Sequence, residues 1–283
     1  MGFSAVELMP DALATLVPDI QPREFEQIRR LAQAAFGLEL RTGKERLVSA
    51  RLGKHVRSGG FRSFEDYFRH VQSDGTGESL LALIDALTTN HTAFLREPEH
   101  FRALVTRVLP GLRSGRVTLW SAAGSSGEEP YSMLFTILEA KPQMPDVRIL
   151  ATDISSRMLA IAEQGVYNAD RLSALPPAWL QKYFDRHIGG EPGTWRVRAQ
   201  YRAMIEFRRL NLMDALPCSF RFPVIFCRNV LIYFNRETQE SVVNRLAGAI
   251  EPGGYLFTGH AESLTGIRHP LHYVQPAVYQ RKA

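Results

Sequence analysis

Cysteine is nearly absent: Cys218 and Cys227 are the only two in 283 residues. Both sit in or near apolar runs without metal-ligand spacing, so they read as free thiols of a reducing cytoplasm. Long apolar runs are missing as well. No stretch approaches the roughly 20 residues that span a bilayer. Residues 1–10 lack the basic region and apolar run of a secretory signal. There are no internal repeats and no low-complexity tract. Nor is charge lopsided, since 34 Lys and Arg face 29 Asp and Glu, a net charge of +5. What is present, 45% hydrophobic and 22% charged residues, is an ordinary globular composition.

The first 75 residues read as a small helical domain. Over Pro22 to Phe36, apolar residues recur at spacings of three and four, and Gly37 supplies a stop. A second helix, Lys44 to Arg57, carries Val48, Leu52 and Val56 on one stripe, with Arg46, Arg51, Lys54 and Arg57 on the opposite arc. From Arg41 to Arg62 there are seven basic residues against one acid, Glu45. Ser63, with Asp66 three residues later, opens a third helix over Phe64 to Val71. The run Ser73-Asp74-Gly75-Thr76-Gly77 reads as a linker, giving domains 1–75 and 76–283.

After a connecting helix, Glu78 to Leu87, the pattern changes to alternating strands and helices. Strands are expected at Arg116 to Ser121, Val147 to Asp153, Ile205 to Leu210, Val224 to Arg228, Tyr255 to Thr258 and Ala277 to Arg281. Helices are expected near 130–139, 155–164 and 237–250. Apolar strands separated by helices imply an α/β fold, its mostly parallel sheet covered on both faces. An insertion near 180–202 breaks the rhythm. There Tyr183 to Ile188 and Trp195 to Tyr201 pair as a hairpin across a Gly189-Gly190 turn.

Ligands of such sheets bind beyond the carboxyl ends of the strands. The first strand empties into Ser121-Ala122-Ala123-Gly124-Ser125-Ser126-Gly127, a loop whose small residues let a ligand approach the backbone. Glu128 and Glu129 then stand at a helix N-terminus, where anions are usually welcome. Two carboxylates there suit a cation rather than a pyrophosphate. Asp153 ends the second strand, placed either to accept both ribose hydroxyls of a nucleoside or to cap the next helix. His260 and Glu262, with His269 and His272 nearby, lack the spacing of a metal site.

Four ordered motifs carry a resemblance. Thr88-Thr89-Asn90-His91-Thr92-Ala93-Phe94-Leu95-Arg96-Glu97 comes first. Trp120-Ser121-Ala122-Ala123 with Gly127-Glu128-Glu129-Pro130-Tyr131-Ser132 is second, Ala151-Thr152-Asp153-Ile154 third, and Phe226-Cys227-Arg228-Asn229-Val230-Leu231-Ile232-Tyr233-Phe234 fourth. The chain resembles the chemotaxis receptor methyltransferases (CheR) over essentially its whole length. It departs at Gly124-Ser125-Ser126, where relatives often show Ala-Ser-Thr. The resemblance implies a class I S-adenosylmethionine-dependent methyltransferase domain of Rossmann-like fold, with a small antiparallel β-subdomain and a preceding all-α domain.

It further implies methyl transfer from S-adenosylmethionine to glutamates of membrane chemoreceptors, with S-adenosylhomocysteine as product and no metal. Cofactor contacts carried over are Asn90, Thr92, Arg96, Ala122, Glu128, Asp153, Asn211, Leu212, Arg228 and Asn229. Arg96 and Tyr233 are candidates for orienting the incoming carboxylate, with Tyr233 as a plain apolar-face aromatic and Arg228 as a surface cation the alternatives. The basic arc Arg46, Arg51, Lys54 and Arg57 is expected to meet the helical receptor. The inserted hairpin is expected to hold a C-terminal tether peptide by strand addition. The expected enzyme is a cytoplasmic monomer, recruited to receptor arrays, with no membrane insertion and no nucleic acid.

Two other functions compete. A nucleic-acid methyltransferase is prompted by the positive charge, but base N-methylation usually places Asn/Asp-Pro-Pro-aromatic where this chain has Arg228-Asn229-Val230-Leu231. A non-catalytic module that binds S-adenosylmethionine as a signal would share the same cofactor residues.

Overall fold

A computed structural model of the chain describes residues 19–88, 90–112, 117–142, 146–186, 192–216 and 221–282. Residues 1–10, Thr89, Arg116, Ile188-Gly189-Gly190 and Cys218, which figured in the expectations above, lie outside them. The chain divides into two compact units, one of residues 1–32 and 40–88, the other of residues 33–39 and 89–283.

The first unit holds α1 (Pro22–Phe36), whose last turn belongs to the second unit, then α2 (Glu45–Ser58), α3 (Phe64–Ser73) and α4 (Glu78–Leu87). Its core takes the expected apolar faces of α1 and α2, Phe25 and Ile28 with Val48, Leu52 and Val56, and adds Phe64, Phe68 and Val71 of α3 and Leu83, Ile84 and Leu87 of α4. Ser63 caps α3, its Oγ accepting from Asp66 N at 3.1 Å. The Asp66 carboxylate turns to Arg69 instead of closing a capping box. The 73–77 segment is a turn inside this unit, not a domain boundary, because the apolar face of α4 is buried with α2 and α3. One residue leaves the basic arc: Arg51 is half-buried and donates to the Leu87 carbonyl, one of the orphan acceptors at the end of α4. Arg46, Lys54 and Arg57 are exposed.

The second unit begins with α5 (Pro98–Ala103), which continues through wider and tighter turns to Gly111. Next come β1 (Val117–Ser121), α6 (Glu128–Ala140), β2 (Val147–Asp153), α7 (Ser156–Gln164), β3 (Val166–Asn168) and α8 (Pro177–Tyr183). Then follow β4 (Phe184–Arg186), β5 (Thr194–Val197), α9 (Ala199–Arg202), β6 (Ile205–Arg209), β7 (Phe222–Phe226), α10 (Arg236–Ala249), β8 (Ile250–Phe257), β9 (Leu271–Gln275) and β10 (Val278–Arg281). Seven strands form one sheet in the order β6-β2-β1-β7-β8-β10-β9, parallel except where β10 pairs with β8 and β9. A second sheet, β3-β5-β4, is antiparallel. The expected hairpin pairs as Phe184↔Val197 and Arg186↔Trp195, but its second strand stops at Val197 and Tyr201 lies in α9. The third strand, β3, was unexpected.

Burial on both faces of the large sheet explains its unbroken apolar strands. Leu119, Ile149, Val224 and Phe226 point to one core with Phe135 and Tyr183, while Trp120, Leu150 and Ile225 point to another with Val243 and Leu246 of α10. Chain order reverses between β1 and β7, so the crevice beyond their carboxyl ends is where such sheets hold ligands.

Candidate functional site

The expected loops converge on that crevice. After β1, Ala122 stays in the ladder, its N–H donating to Phe226 O at 2.7 Å and its carbonyl accepting from Thr152 Oγ1 at 3.2 Å. Ser125 (φ 46°) and Gly127 (φ 100°) then take left-handed conformations that turn the chain into α6. A Cβ on Gly127 would lie 2.6 Å from the Tyr167 Oη and 2.9 Å from the Ala162 Cβ, so only glycine fits.

The two acids at the start of α6 have separate fates. Glu129 is buried, its Oε1 accepting from Ser121 Oγ at 2.7 Å and its Oε2 facing Arg228 Nη1 at 3.2 Å. Glu128 has no exposed side-chain surface; Ser126 Oγ donates to its Oε2 at 2.8 Å, and the Arg171 guanidinium forms an ion pair with its Oε1. Burial pushes both carboxyls up, against the pull of Arg171 on Glu128 and of Arg228 on Glu129. Both acids at this helix end are therefore paired with an arginine, Glu129 with the buried Arg228 and Glu128 with the partly exposed Arg171.

Asp153 does not cap α7. Ser155 does, accepting from Met158 N at 3.1 Å, while Asp153 accepts from Ser125 N and Ser155 N, both at 2.9 Å. Backbone amides from two loops thus fix the direction of its carboxylate. The Asn211 side chain is held from both ends, its Nδ2 donating to Ala35 O at 2.9 Å and its Oδ1 accepting from Met213 N at 3.0 Å. The Leu212 carbonyl accepts from Arg245 Nη2 at 2.6 Å.

Arg228 is no surface cation. Its side chain is 1% exposed, with Nη2 3.1 Å from Glu97 and Nη1 3.2 Å from Glu129, a further bond to Arg96 O, and Phe101 and Phe226 rings 5.6 Å away. Its charge is spent inside the protein. Asn229 (φ 57°) follows, its N–H donating to Glu262 at 2.7 Å and its Nδ2 to Glu97 at 3.3 Å. Burial raises Glu97, but the Arg228 charge and the bonds from Asn229 and His260 bring it below the ordinary carboxylate range.

The 90–97 segment supplies Asn90 and Thr92, both half-buried, and Arg96, whose Nη1 donates to His91 O at 2.7 Å. Leu95 (φ 52°) and Glu97 (φ 59°) are left-handed too. Such residues cost about 1–3 kcal/mol each and persist where surroundings over-determine them; here Ser132 Oγ accepts from Leu95 N at 2.9 Å. Tyr233 is half-buried, in a short turn whose carbonyl accepts from Glu39 N at 2.7 Å.

Three residues of the rim escaped sequence reasoning. Glu97 clamps Arg228 and Asn229. Glu262, 5% exposed, accepts from the amides of Asn229, Gly259 and Ile232 and so fastens the loops after β7 and β8 together. Arg171 reaches Glu128 across 43 positions of chain. Only Glu97 had a local signal, since it closes the first motif. Glu97, His100 and His260 also bring ligand atoms within 4.8 Å of one another. The Arg228 guanidinium already occupies the Glu97 carboxylate, and a second cation would meet its repulsion.

Known proteins match this chain along nearly all its length. The family model described as "CheR methyltransferase, all-alpha domain" matches residues 23–88, and "CheR methyltransferase, SAM binding domain" matches residues 90–279. Chemotaxis protein methyltransferase 2 of Pseudomonas aeruginosa PAO1 is 38% identical over 259 residues, covering 90% of this chain and 92% of its own. The probable chemotaxis protein methyltransferase of Rhizobium etli is 39% identical, covering 81% and 88%. The chemotaxis protein methyltransferase of Borreliella burgdorferi is 34% identical, covering 93% and 95%. A solved structure, the N-methyltransferase NodS of Bradyrhizobium japonicum with S-adenosylhomocysteine, overlaps 58% of this chain and 62% of its own at 14% identity and a TM-score of 0.35. By its two domains and its relatives, the chain belongs to the CheR family of S-adenosylmethionine-dependent chemotaxis methyltransferases.

Proposed function

We propose that this methyltransferase esterifies glutamate side chains in the cytoplasmic helices of chemoreceptors. The observation that carries this reading is the pair of buried, amide- and hydroxyl-anchored carboxylates, Glu128 and Asp153, at the β1–β7 switch point. The residues fit the cofactor. Glu128, a carboxylate with about four acceptor sites, keeps lone pairs beyond its contacts with Ser126 and Arg171, suited to an ammonium. Asp153 suits the two ribose hydroxyls, the Leu212 N–H suits the adenine edge, and Arg96 suits the methionine carboxylate. When bound, S-adenosylmethionine supplies a methyl group on a sulfonium. Arg228 and Asn229 serve this site at one remove, by holding the left-handed turn at Glu97 and, through the Asn229 N–H, tying it to Glu262.

The reaction asks little of the protein in proton transfer. A glutamate titrates near pH 4.3 and is already an anion at neutral pH, so the nucleophile needs no general base. Opposite charges vanish as the ester forms, which water disfavours, so catalysis rests on alignment and partial exclusion of solvent. Good alignment alone is worth roughly 7–11 kcal/mol in favourable systems. Tyr233 and Arg96, flanking the rim, are assigned to orienting the incoming carboxylate, with Arg96 bound first to the cofactor.

The exposed Arg46, Lys54 and Arg57 face suits an acidic receptor helix, and the β3-β5-β4 sheet suits an added peptide strand. We place the enzyme in the cytoplasm at receptor arrays, acting as a monomer. Among the described residues no helix is long and apolar enough to cross a membrane. Incubation with methyl-tritiated cofactor and receptor membranes tests the reading: label must enter the receptor band. Binding of cofactor without transfer would instead favour a signalling module, and label in duplex nucleic acid a base methyltransferase.

A further inference from the structure

Arg171 lies in the turn after β3, outside the motifs that mark the cofactor site, yet it makes the one ion pair of Glu128 among the described residues. Its Nη2 also donates to Ser126 Oγ at 2.8 Å, and that hydroxyl donates to Glu128 Oε2 at 2.8 Å. Arg171 thus grips Glu128 both directly and through Ser126. Its guanidinium stands 5.5 Å from the centre of the Tyr167 ring, and Tyr167 Oη donates to Ser126 O at 2.8 Å. The missing side chain at Gly127 lets β3 come this close.

We propose that Arg171 is a positioning residue of the cofactor site, holding Glu128 as an aimed anion that receives the ammonium of S-adenosylmethionine. The inference rests on the reading that Glu128 meets that ammonium. A carboxyl with no exposed surface favours its neutral form unless a fixed charge or donor opposes it. The groups facing Glu128 are Arg171 from the turn after β3, Tyr167 from β3 itself, His91 from the 90–97 segment and Ser126 from its own loop. Tyr167 is neutral, burial having pushed its phenol far up, and His91 is exposed. Arg171 is therefore the permanent charge at the carboxylate. Pairing does not exhaust an acceptor with about four lone-pair sites. Without Arg171, Glu128 would hold a proton and lose the charge-assisted bond that an ammonium prefers.

Calorimetry tests this with two ligands, S-adenosylhomocysteine and 5′-methylthioadenosine, which lacks the amino-acid end. Arg171→Gln is expected to weaken S-adenosylhomocysteine at pH 7 by tenfold or more and to move its acid-side loss of affinity to higher pH. Methylthioadenosine should stay within twofold, and Arg171→Lys should recover most of the affinity. Unchanged or tighter S-adenosylhomocysteine binding by Arg171→Gln overturns the proposal, and so does equal weakening of both ligands, which marks a merely structural role. Glu128→Gln separates the two layers: if it leaves S-adenosylhomocysteine affinity intact, the ammonium reading of Glu128 fails and takes the proposal with it.

Discussion

Glu128 and Asp153 are both carboxylates at strand ends, but their surroundings prepare them for different partners. Glu128 is wholly covered and paired with a cation, whereas Asp153 is fixed by two backbone amides. Asp153→Ala removes an acceptor for two hydroxyls, each worth about 1–1.5 kcal/mol, so S-adenosylhomocysteine affinity by calorimetry is expected to fall ~30- to 150-fold. His100 makes a prediction about pH. Burial first, and the Arg228 charge next, depress its pKa to about 3. The unfolded chain protonates this group near 6.5. Between those values the unfolded state binds the extra proton, so stability falls as pH falls, by up to roughly 1.4 kcal/mol per pH unit. His100→Phe keeps a ring against Phe226 and Phe257. Its urea midpoint should decline less steeply than the wild type's from pH 7 to pH 4; equal slopes would count against a buried, neutral His100. At this scale, Glu128 and Asp153 were legible because residue type and strand-end position suffice to nominate a carboxylate. Arg171 and Glu262 were not, because their meaning comes only from partners 43 and about 30 positions away.

The site is held at the scale of elements by turns that ordinary residues adopt reluctantly. Leu95, Glu97, Ser125 and Asn229 all have positive φ, and all stand in loops at the carboxyl edge of the sheet. Gly127 is where β3 and α7 press against the loop. Gly127→Ala would combine a left-handed strain with a Cβ too close to Tyr167 and Ala162. It is expected to cost roughly 2 kcal/mol and about 4–8 °C in Tm, with weakened cofactor binding, checked by thermal melts and calorimetry. The inner strands β1 and β2 could be read because burial on both faces leaves them apolar throughout. β9 escaped: Leu271 is buried but His272 and Tyr273 are exposed, so no apolar period marks this edge strand. β3 escaped for its length of three residues. The 73–77 turn misled because its Gly and Asp chemistry is that of a linker, while the apolar face of α4 decides which unit the next helix joins.

For the molecule as a whole, a modest net charge of +5 matters less than where it is exposed. Arg46, Lys54 and Arg57 remain available on α2, whereas Arg51 is spent on the end of α4. Reversing charge with Arg46→Glu and Lys54→Glu is expected to cut methylation of receptor membranes at least tenfold while S-adenosylhomocysteine affinity stays within twofold; equal methylation would remove this face from recognition. The central claim is the ester itself, a reaction that needs no general base because a glutamate is already an anion at neutral pH. Receptor membranes labelled by this enzyme from methyl-tritiated cofactor should release volatile tritiated methanol on treatment with alkali, and the Glu128→Gln enzyme should label them far more weakly. Label that survives alkali would mean methylation of nitrogen or carbon, and would contradict the account.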